Sequence, residues 1–179
     1  SKSVTRRLGG LEEINQEPNV WGVVGTVWKG WLFGDGKGTT IPIKPRYHAG
    51  ETVYVKEVWA TYKQDDRLKP SQLPPHYRIW YKASDEGTLA NFRGRWRSPL
   101  FMPAWAARTH LTILDVRPER LQDITPEDCI AEGLSSRLRE HGACVDLKQQ
   151  YARLWDSING KGDYALNKWI WRSSFKEVG

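Results

Sequence analysis

The sequence predicts an α+β fold that is mostly β, with two helices inserted before the last strand. Short stretches rich in Val, Ile, Trp and Thr recur between residues 21 and 116, separated by turns rich in Gly, Pro and Asp. Helical signals appear only between residues 125 and 158, and a final β-rich stretch follows them. A small barrel or half-barrel closed by that last strand is the architecture that this order favours.

A length of 179 residues is enough for one well-cored domain, and we expect a single domain over residues 1–179. The chain has no apolar run of about 18 residues, which predicts no transmembrane helix and no membrane partner. Two Cys in a chain of this length fit a reducing, cytoplasmic compartment. Four scattered His predict no metal site, and we expect no cofactor.

Charge and aromatic content both bear on the partner. The formal net charge of +6 favours polyanionic partners, although only mildly. Ten Trp is an unusual number, because a buried indole N–H needs a hydrogen-bond partner. We therefore expect most of the Trp to lie in the core and about two or three to line a site.

The first half of the chain is predicted to form strands joined by tight turns. Trp21–Phe33 is rich in Val, Trp and Thr, and its Gly residues indicate one strand with bulges. A Gly-rich turn at residues 34–38 leads into a short strand, Thr39–Ile43. Pro42 restricts that strand to a sheet edge, because Pro has no N–H to donate.

Thr52–Trp59 alternates as a strand does, so Lys56 and Glu57 should take opposite faces and one of them should point inward. A buried charge needs a partner. We expect Glu57 to face a basic pocket that contains Arg108 or Arg7. Two further strands are predicted, a short one at Arg78–Ala83 that carries Tyr81, and a longer one at Thr109–Val116.

The end of the chain carries the helical signals. Thr125 as N-cap, Pro126 at the first helical position and Gly133 as a stop predict a short helix. Cys144–Ile158 has apolar residues at helical spacing, which predicts a second helix with one apolar face. In the closing strand, Trp169–Phe175, alternation places Trp169 and Trp171 on one face, which favours core over a ligand cage.

A cationic cluster opens the chain: Lys2, Thr5, Arg6 and Arg7. Such a cluster can hold an anion or place an amine beside a hydroxyl, and the alternative is an N-terminal strand or turn. Glu132 ends the first predicted helix, where the macrodipole disfavours a carboxylate, as suits an acid/base group. The alternative for Glu132 is an ordinary solvated helix end.

A second candidate site lies between residues 91 and 108. This segment holds four Arg with interleaved aromatic residues and no acid, namely Arg93, Arg95, Trp96, Arg97, Trp105 and Arg108 with Phe92 and Phe101. Arg neutralises phosphates and aromatic faces stack on bases, which indicates a nucleic-acid surface. The alternative is a cationic loop whose Trp residues fill the core.

The chain resembles ASCH-domain proteins of the PUA-like superfamily, especially the version common in phages and prophages. Lys2–Arg7 is similar to the end of a G-x-K-T-x-T-R-R motif, and residues 50–59 to a G-D-x-L-Y-V-R-E-T-W strand. Met102–Arg108 is similar to an M-P-R-W-A-S-R segment. Residues 120–124, 131–133 and 154–158 are similar to the family's helical part. The resemblance implies a PUA-like small β-barrel that handles a nucleobase or nucleotide.

The resemblance also implies an activity. Family members with a clear activity are amidohydrolases that remove acetyl from N4-acetylcytidine, and their catalytic Lys, Thr and Glu map onto Lys2, Thr5 and Glu132. In that mechanism Thr5 is the nucleophile or positions one. Lys2 acts as base in its neutral form, which the like charges of Arg6 and Arg7 favour.

Other relatives are assigned RNA binding or RNA cleavage, so a noncatalytic reader of RNA or modified DNA is the alternative. Its candidate binding residues are Arg6, Arg7, Lys56, Glu57, Tyr81, Arg93, Arg95, Trp96, Arg97, Trp105 and Arg108. The expected partner is a nucleoside or single-stranded nucleic acid, with RNA favoured over DNA. The expected location is the cytoplasm of a bacterial or phage-infected cell, and the oligomeric state is left open.

Overall fold

A computed structural model describes residues 2–7, 9–75, 78–85, 87, 91–135, 139–140, 143–144 and 146–178, with the backbone alone at 2–7, 139–140 and 143–144. The described strands are β1 (Lys2–Arg7), β2 (Gly22–Val27), β3 (Gly30–Gly34), β4 (Thr40–Ile43), β5 (Thr52–Tyr54), β6 (Trp59–Ala60), β7 (Trp80–Tyr81), β8 (His110–Arg120), β9 (Arg139–Glu140), β10 (Ala143–Cys144) and β11 (Trp169–Glu177). The described helices are α1 (Lys82–Asp85), α2 (Pro126–Ala131) and α3 (Leu147–Asn159).

These elements confirm the predicted α+β class, with α2 and α3 before the last strand. One sheet has the order β1-β11-β8-β5, and β2-β3-β4 form an antiparallel three-stranded sheet. Two-stranded pairs join β6 to β7 and β9 to β10. The strands that the structure describes do not close into a barrel.

The chain divides into two compact units. The first unit consists of Ser1–Glu51 and Thr112–Lys176, and the second of Thr52–Leu111 and Glu177–Gly179. The first unit contains two core clusters and the second unit contains one, among the described residues. The expectation of one domain over residues 1–179 stays a prediction. None of the helices in the described ranges is both long enough and apolar enough to span a bilayer.

One core cluster of the first unit confirms the predicted role of the closing strand. Trp171 is buried with Leu11, Ile14, Phe33 and Ile43, and half-buried Trp169 packs against the same group. The ring of Trp169 meets that of Phe33 edge to face at 5.2 Å. The indole N–H of Trp171 donates to the Gly9 carbonyl at 3.0 Å, and that of Trp169 to the Trp21 carbonyl at 3.0 Å. Both indoles therefore satisfy their donors inside the fold.

The second cluster of this unit packs α2 and α3 together through Cys129, Tyr151 and Trp155. The start of α2 is as predicted, since the Thr125 hydroxyl accepts from the Asp128 N–H at 3.2 Å. Gly133 has the positive φ, 97°, of a C′ glycine. The second helix begins at Leu147 and not at Cys144, because Asp146 caps it and Cys144 belongs to β10.

The prediction of one bulged strand at Trp21–Phe33 is wrong, because the segment forms the hairpin β2–β3. Val27 pairs with Gly30, which leaves Trp28 and Lys29 as a two-residue turn. Lys29 has φ 56°, a left-handed conformation that the strand pattern did not indicate. The expected bulge is present at Val23/Gly25. The edge position of the strand that carries Pro42 is confirmed, because β4 ends its sheet.

Two strand predictions in the second unit need correction. Thr52–Trp59 is interrupted after Tyr54, because the Glu57 N–H donates to the Met102 sulfur at 3.3 Å and leaves the ladder. Arg78–Ala83 forms a strand only at Trp80–Tyr81, and α1 follows. The Asp85 carboxylate accepts from the Tyr81 N–H at 2.8 Å and so favours a helical turn there.

Gly30 offers a test of the packing between β3 and β4. A Cβ at this position would lie 2.8 Å from the Ile43 carbonyl oxygen and 2.9 Å from Lys44 Cγ. Gly30→Ala should therefore lower the free energy of unfolding by about 1–3 kcal/mol in urea denaturation, because backbone must shift. Gly22→Ala is the control, since an added Cβ there meets nothing within 4 Å. Equal stability of the two variants would contradict the close approach.

Candidate functional site

The residues predicted to form one site fall in both units. Lys2, Thr5, Arg6, Arg7 and Glu132 belong to the first unit. The second unit holds Lys56, Glu57, Tyr81, Arg93, Arg95, Trp96, Arg97, Trp105 and Arg108. The two groups are therefore described separately.

In the second unit, Glu57 pairs with Arg108, one of the two Arg residues that we expected beside it. Arg108 Nε donates to Glu57 Oε2 at 2.8 Å and Arg108 Nη2 donates to Oε1 at 2.7 Å, a bidentate pair. Arg108 Nη1 also donates to Ser84 Oγ at 2.9 Å, and the guanidinium lies 4.4 Å from the centre of the Tyr81 ring. The hydrogen bonds to Glu57 raise the pKa of Arg108. Arg108 is thus held by its own unit.

Tyr81 and Lys56 also make contacts within this unit. The Tyr81 hydroxyl donates to the Ala106 carbonyl at 2.7 Å. Burial raises the pKa of the Tyr81 phenol, against the opposing effect of Arg108. The Lys56 amine donates to the Leu100 carbonyl at 2.9 Å and lies 5.7 Å from the centre of the Tyr54 ring. These contacts order the surface around the Glu57–Arg108 pair.

Arg97 was expected on a nucleic-acid surface, and the structure places it in the interior. Its side chain is only 8% exposed, and it donates to the Leu68 carbonyl at 2.9 Å and the Asp65 carbonyl at 2.7 Å. Burial lowers the pKa of Arg97. Because carbonyl oxygens of the 63–68 loop accept its N–H groups, this guanidinium stabilises the loop.

The other residues of the 91–108 segment lie partly at the surface and partly against the core. The Arg93 guanidinium stacks 4.0 Å from the centre of the Trp96 ring, and Trp105 meets the buried Trp59 edge to face at 6.4 Å. Arg95 is exposed, and its backbone N–H donates to the Asp66 carboxylate at 2.9 Å. The alternative interpretation, in which a Trp of this segment fills the core, holds for Trp105.

In the first unit, residues 2–7 form a strand, as the alternative interpretation of the opening cluster has it. β1 pairs antiparallel with β11, so that Thr5 faces Ser173 and Arg7 faces Trp171 in the register. The side chains of Lys2, Thr5, Arg6 and Arg7 lie outside the described part of the structure. Glu132 is the half-buried C-cap residue of α2. Convergence of Lys2, Thr5 and Glu132 therefore stays a prediction.

An ion-pair network positions α2 beside the opening strand. Arg172 on β11 donates to Asp128 on α2 at 2.7 Å, and its Nε lies 3.6 Å from Glu119 on β8. α2 also lies against β1. Because the Arg172 and Asp128 side chains are largely shielded from water, their pairing holds this helix to the sheet more strongly than a surface pair would.

A cavity of about 460 Å³ opens beside β8 and β11. Its lining consists of Gly9, Gly10, Lys44, Pro45, Arg46, Tyr47, Val116, Trp171 and Ser173. Among these described lining residues there are two cations and no acid. Ser173 and Trp171 are the register partners of Thr5 and Arg7, so β1 passes directly alongside the cavity.

Sequence reasoning missed Lys44, Arg46 and Tyr47. The run Lys44-Pro45-Arg46-Tyr47-His48 is a short basic-aromatic segment that follows the edge strand, and that composition was an available signal. A second cavity of about 290 Å³ shares Pro45, Tyr47 and Val116 with the first. In the described residues, no group of three or more His, Cys, Asp or Glu is placed to hold a metal ion.

Comparison with known proteins leaves the site to be interpreted from its own geometry. No protein-family model, no curated protein and no solved structure matches this chain.

The Tyr81 hydrogen bond predicts a pH-dependent contribution to stability. Tyr81→Phe should lower the free energy of unfolding by about 1 kcal/mol near neutral pH, because the Ala106 carbonyl loses its donor. The folded-state pKa is raised, so the phenol's contribution is complete below its unfolded pKa of about 10 and is lost as pH rises through the folded value. The difference in free energy of unfolding between wild type and variant, measured in urea titrations, should therefore be constant near neutrality and shrink above about pH 10. A pH-independent difference would contradict this assignment.

Proposed function

We propose that the protein binds a nucleobase-containing ligand, a nucleoside or one nucleotide of a single strand, in the 460 Å³ cavity of the first unit. The carrying observation is the combination of side chains in that cavity. Tyr47 and Trp171 offer aromatic surface, Lys44 and Arg46 offer positive charge, and Ser173 offers a hydroxyl. Binding pockets for ligands of this size have volumes of about 300–1,000 Å³.

The positions of the charges suit a phosphorylated ligand. Lys44 and Arg46 are exposed, whereas Trp171 and Ser173 are buried, so the cations lie toward solvent and the base-contacting surface lies deeper. The Arg46 guanidinium lies 5.3 Å from the centre of the Tyr47 ring. A base in the cavity with its phosphate toward Arg46 would pair each part of the ligand with matching chemistry.

The cavity is a better candidate than the segment between residues 91 and 108. Arg97 is buried, and Arg108 is bound to Glu57 and Ser84. A phosphate would have to break those contacts before binding either guanidinium. Within the described part of the chain, the Arg46 guanidinium lies against the Tyr47 ring, a contact that a bound ligand could share.

The motif resemblance also supports the 460 Å³ cavity as the ligand site. Lys2–Arg7, the stretch similar to the ASCH motif, forms the strand that pairs with β11 beside the cavity. Assignment of the chain as an ASCH domain with a PUA-like barrel is part of this proposal. The proposal also includes a location in the cytoplasm, where the ligands would be RNA or its nucleosides.

Arg46 provides the first test. In calorimetric titrations with cytidine 5′-monophosphate, Arg46→Gln should weaken binding by about 10- to 100-fold, the value of a charge-assisted hydrogen bond. Arg95→Gln is the matched control, because Arg95 is an exposed Arg of the second unit. If Arg95→Gln weakened binding and Arg46→Gln left it unchanged, the binding site would lie in the second unit. That result would support the 91–108 segment as the nucleic-acid surface.

A second candidate function is hydrolysis of an N4-acylated cytidine. One observation favours it: α2, whose C-cap residue is Glu132, lies against the strand that carries Lys2 and Thr5. In this reaction Thr5, or a water that it positions, attacks the acyl carbon while Lys2 accepts the proton. The C–N bond then breaks, Glu132 protonates the departing exocyclic nitrogen, and water completes the release of the carboxylic acid.

Lys2→Ala tests the hydrolase. Turnover of N4-acetylcytidine, followed by chromatography of released cytidine, should fall at least about 100-fold when the base is removed. Lys176→Ala is the matched control, because Lys176 is exposed and is the register partner of Lys2 on β11. Equal turnover by wild type and Lys2→Ala would remove Lys2 as the base, and no turnover by wild type would reject the reaction and leave binding alone.

A further inference from the structure

The turn of the β2–β3 hairpin presents an aromatic ring to solvent. Trp28 is 78% exposed, whereas Trp59, Trp80, Trp155 and Trp171 are buried. Most of the Trp28 ring is therefore in contact with water rather than with the core. An exposed indole face of this kind can stack on the face of a base.

Two amino groups lie within cation–π distance of that ring. Lys29 Nζ is 5.2 Å from the ring centre, and Lys44 Nζ, which comes from the end of β4, is 5.3 Å from it. Both Lys side chains are exposed, so these contacts are weak and the amino groups can turn toward an arriving anion. The tip therefore combines a stacking face with two exposed positive charges.

The backbone under this ring is held in place. Lys29 adopts φ 56°, and its carbonyl oxygen lies 3.2 Å from His48 Nε2. The other ring nitrogen, Nδ1, lies 3.1 Å from Glu51 Oε1, so the imidazole links the turn to the 48–51 turn. Gly30 allows β3 to approach Ile43 and Lys44 closely, as the 2.8 Å position of an added Cβ shows. The fold thus presents Trp28 at a defined place, which lowers the entropy cost of binding.

The hairpin tip is continuous with the cavity of the proposed function. Lys44 contacts the Trp28 ring and also lines the 460 Å³ cavity. The lining of the 290 Å³ cavity includes Lys29, His48 and Asp115, and it shares Pro45, Tyr47 and Val116 with the larger one. A ligand that occupies the larger cavity can therefore extend along a basic, aromatic surface toward Trp28.

We propose that Trp28 is a stacking platform for a second base of a single-stranded oligonucleotide, whose neighbouring nucleotide occupies the cavity. Lys29 and Lys44 contact the phosphate that joins the two nucleotides. This inference rests on the proposed function and makes its ligand a strand of RNA or DNA rather than a free nucleoside. Base–aromatic stacking is tolerant of sequence, because every base has a π face, so the platform adds affinity with little base preference.

The test compares two ligands with matched variants. A fluorescein-labelled single strand of about eight nucleotides is titrated by anisotropy, and cytidine 5′-monophosphate by calorimetry. Trp28→Ala should weaken binding of the strand by about 5- to 150-fold and leave the mononucleotide unchanged. Trp28→Phe should retain most of the affinity. Phe92→Ala is the control, because Phe92 is an aromatic residue of the second unit that is 62% exposed.

Lys29 is tested separately, through the salt dependence of strand binding. Lys29→Gln should reduce the slope of log affinity against log salt concentration by about one, as the loss of one phosphate contact does. An unchanged slope would remove Lys29 from the strand-binding surface.

Each other outcome separates this inference from the proposed function. If Trp28→Ala binds the strand as tightly as wild type does, or loses equal affinity for the strand and the mononucleotide, Trp28 is not a stacking platform. Absence of mononucleotide binding, with strand binding still dependent on Trp28, keeps the platform and rejects the cavity as the nucleotide site. Binding of phosphatidylserine–phosphatidylcholine vesicles that depends on Trp28, without strand binding, overturns the inference in favour of a lipid surface.

Discussion

Burial of the closing strand β11 is the constraint on which the first unit depends. β11 lies between β1 and β8, and Trp171 on it belongs to the core. Because the indole N–H of Trp171 donates to Gly9 and that of Trp169 donates to Trp21, the strand connects segments that are about 150 residues away in the chain. The same strand supplies Trp171 and Ser173 to the cavity and pairs with the strand that carries Thr5. Packing and candidate site therefore share one element.

Positive charge has two different roles in this protein. Arg97, Arg108 and Arg172 are bound by carbonyl or carboxylate groups of their own units, so their guanidinium groups stabilise the fold. Lys29, Lys44 and Arg46 lie exposed beside aromatic rings. Arg97 and Arg172 are shielded from water, and a desolvated guanidinium must be satisfied by the protein. Arg108 is more exposed and is held by its bidentate pair with Glu57. Lys29, Lys44 and Arg46 keep their hydration until a ligand replaces it. Composition alone could not separate these roles.

Local signals predicted part of the candidate site and none of its cavity. The sequence led us to expect Arg108 or Arg7 beside Glu57, because a charge that points inward needs a partner, and the partner is Arg108. The strand alternation behind that expectation does not hold, since Glu57 follows the end of β5 at Tyr54. The cavity was not predictable, because its walls come from residues 9–10, 44–47, 116 and 171–173. Nothing in any one of those segments indicates that the other three lie beside it.

The sequence by itself determined the features that depend on neighbours in the chain. Thr125 and Pro126 start α2, Gly133 ends it, and Pro42 confines β4 to an edge, since caps and missing N–H groups act within a few residues. Only the tertiary structure decided where Trp21–Phe33 turns, because the left-handed Lys29 is held by His48 from another turn. The same holds for the cavity and the Trp28 surface. Long-range packing selects among conformations that local propensity leaves nearly equal in free energy.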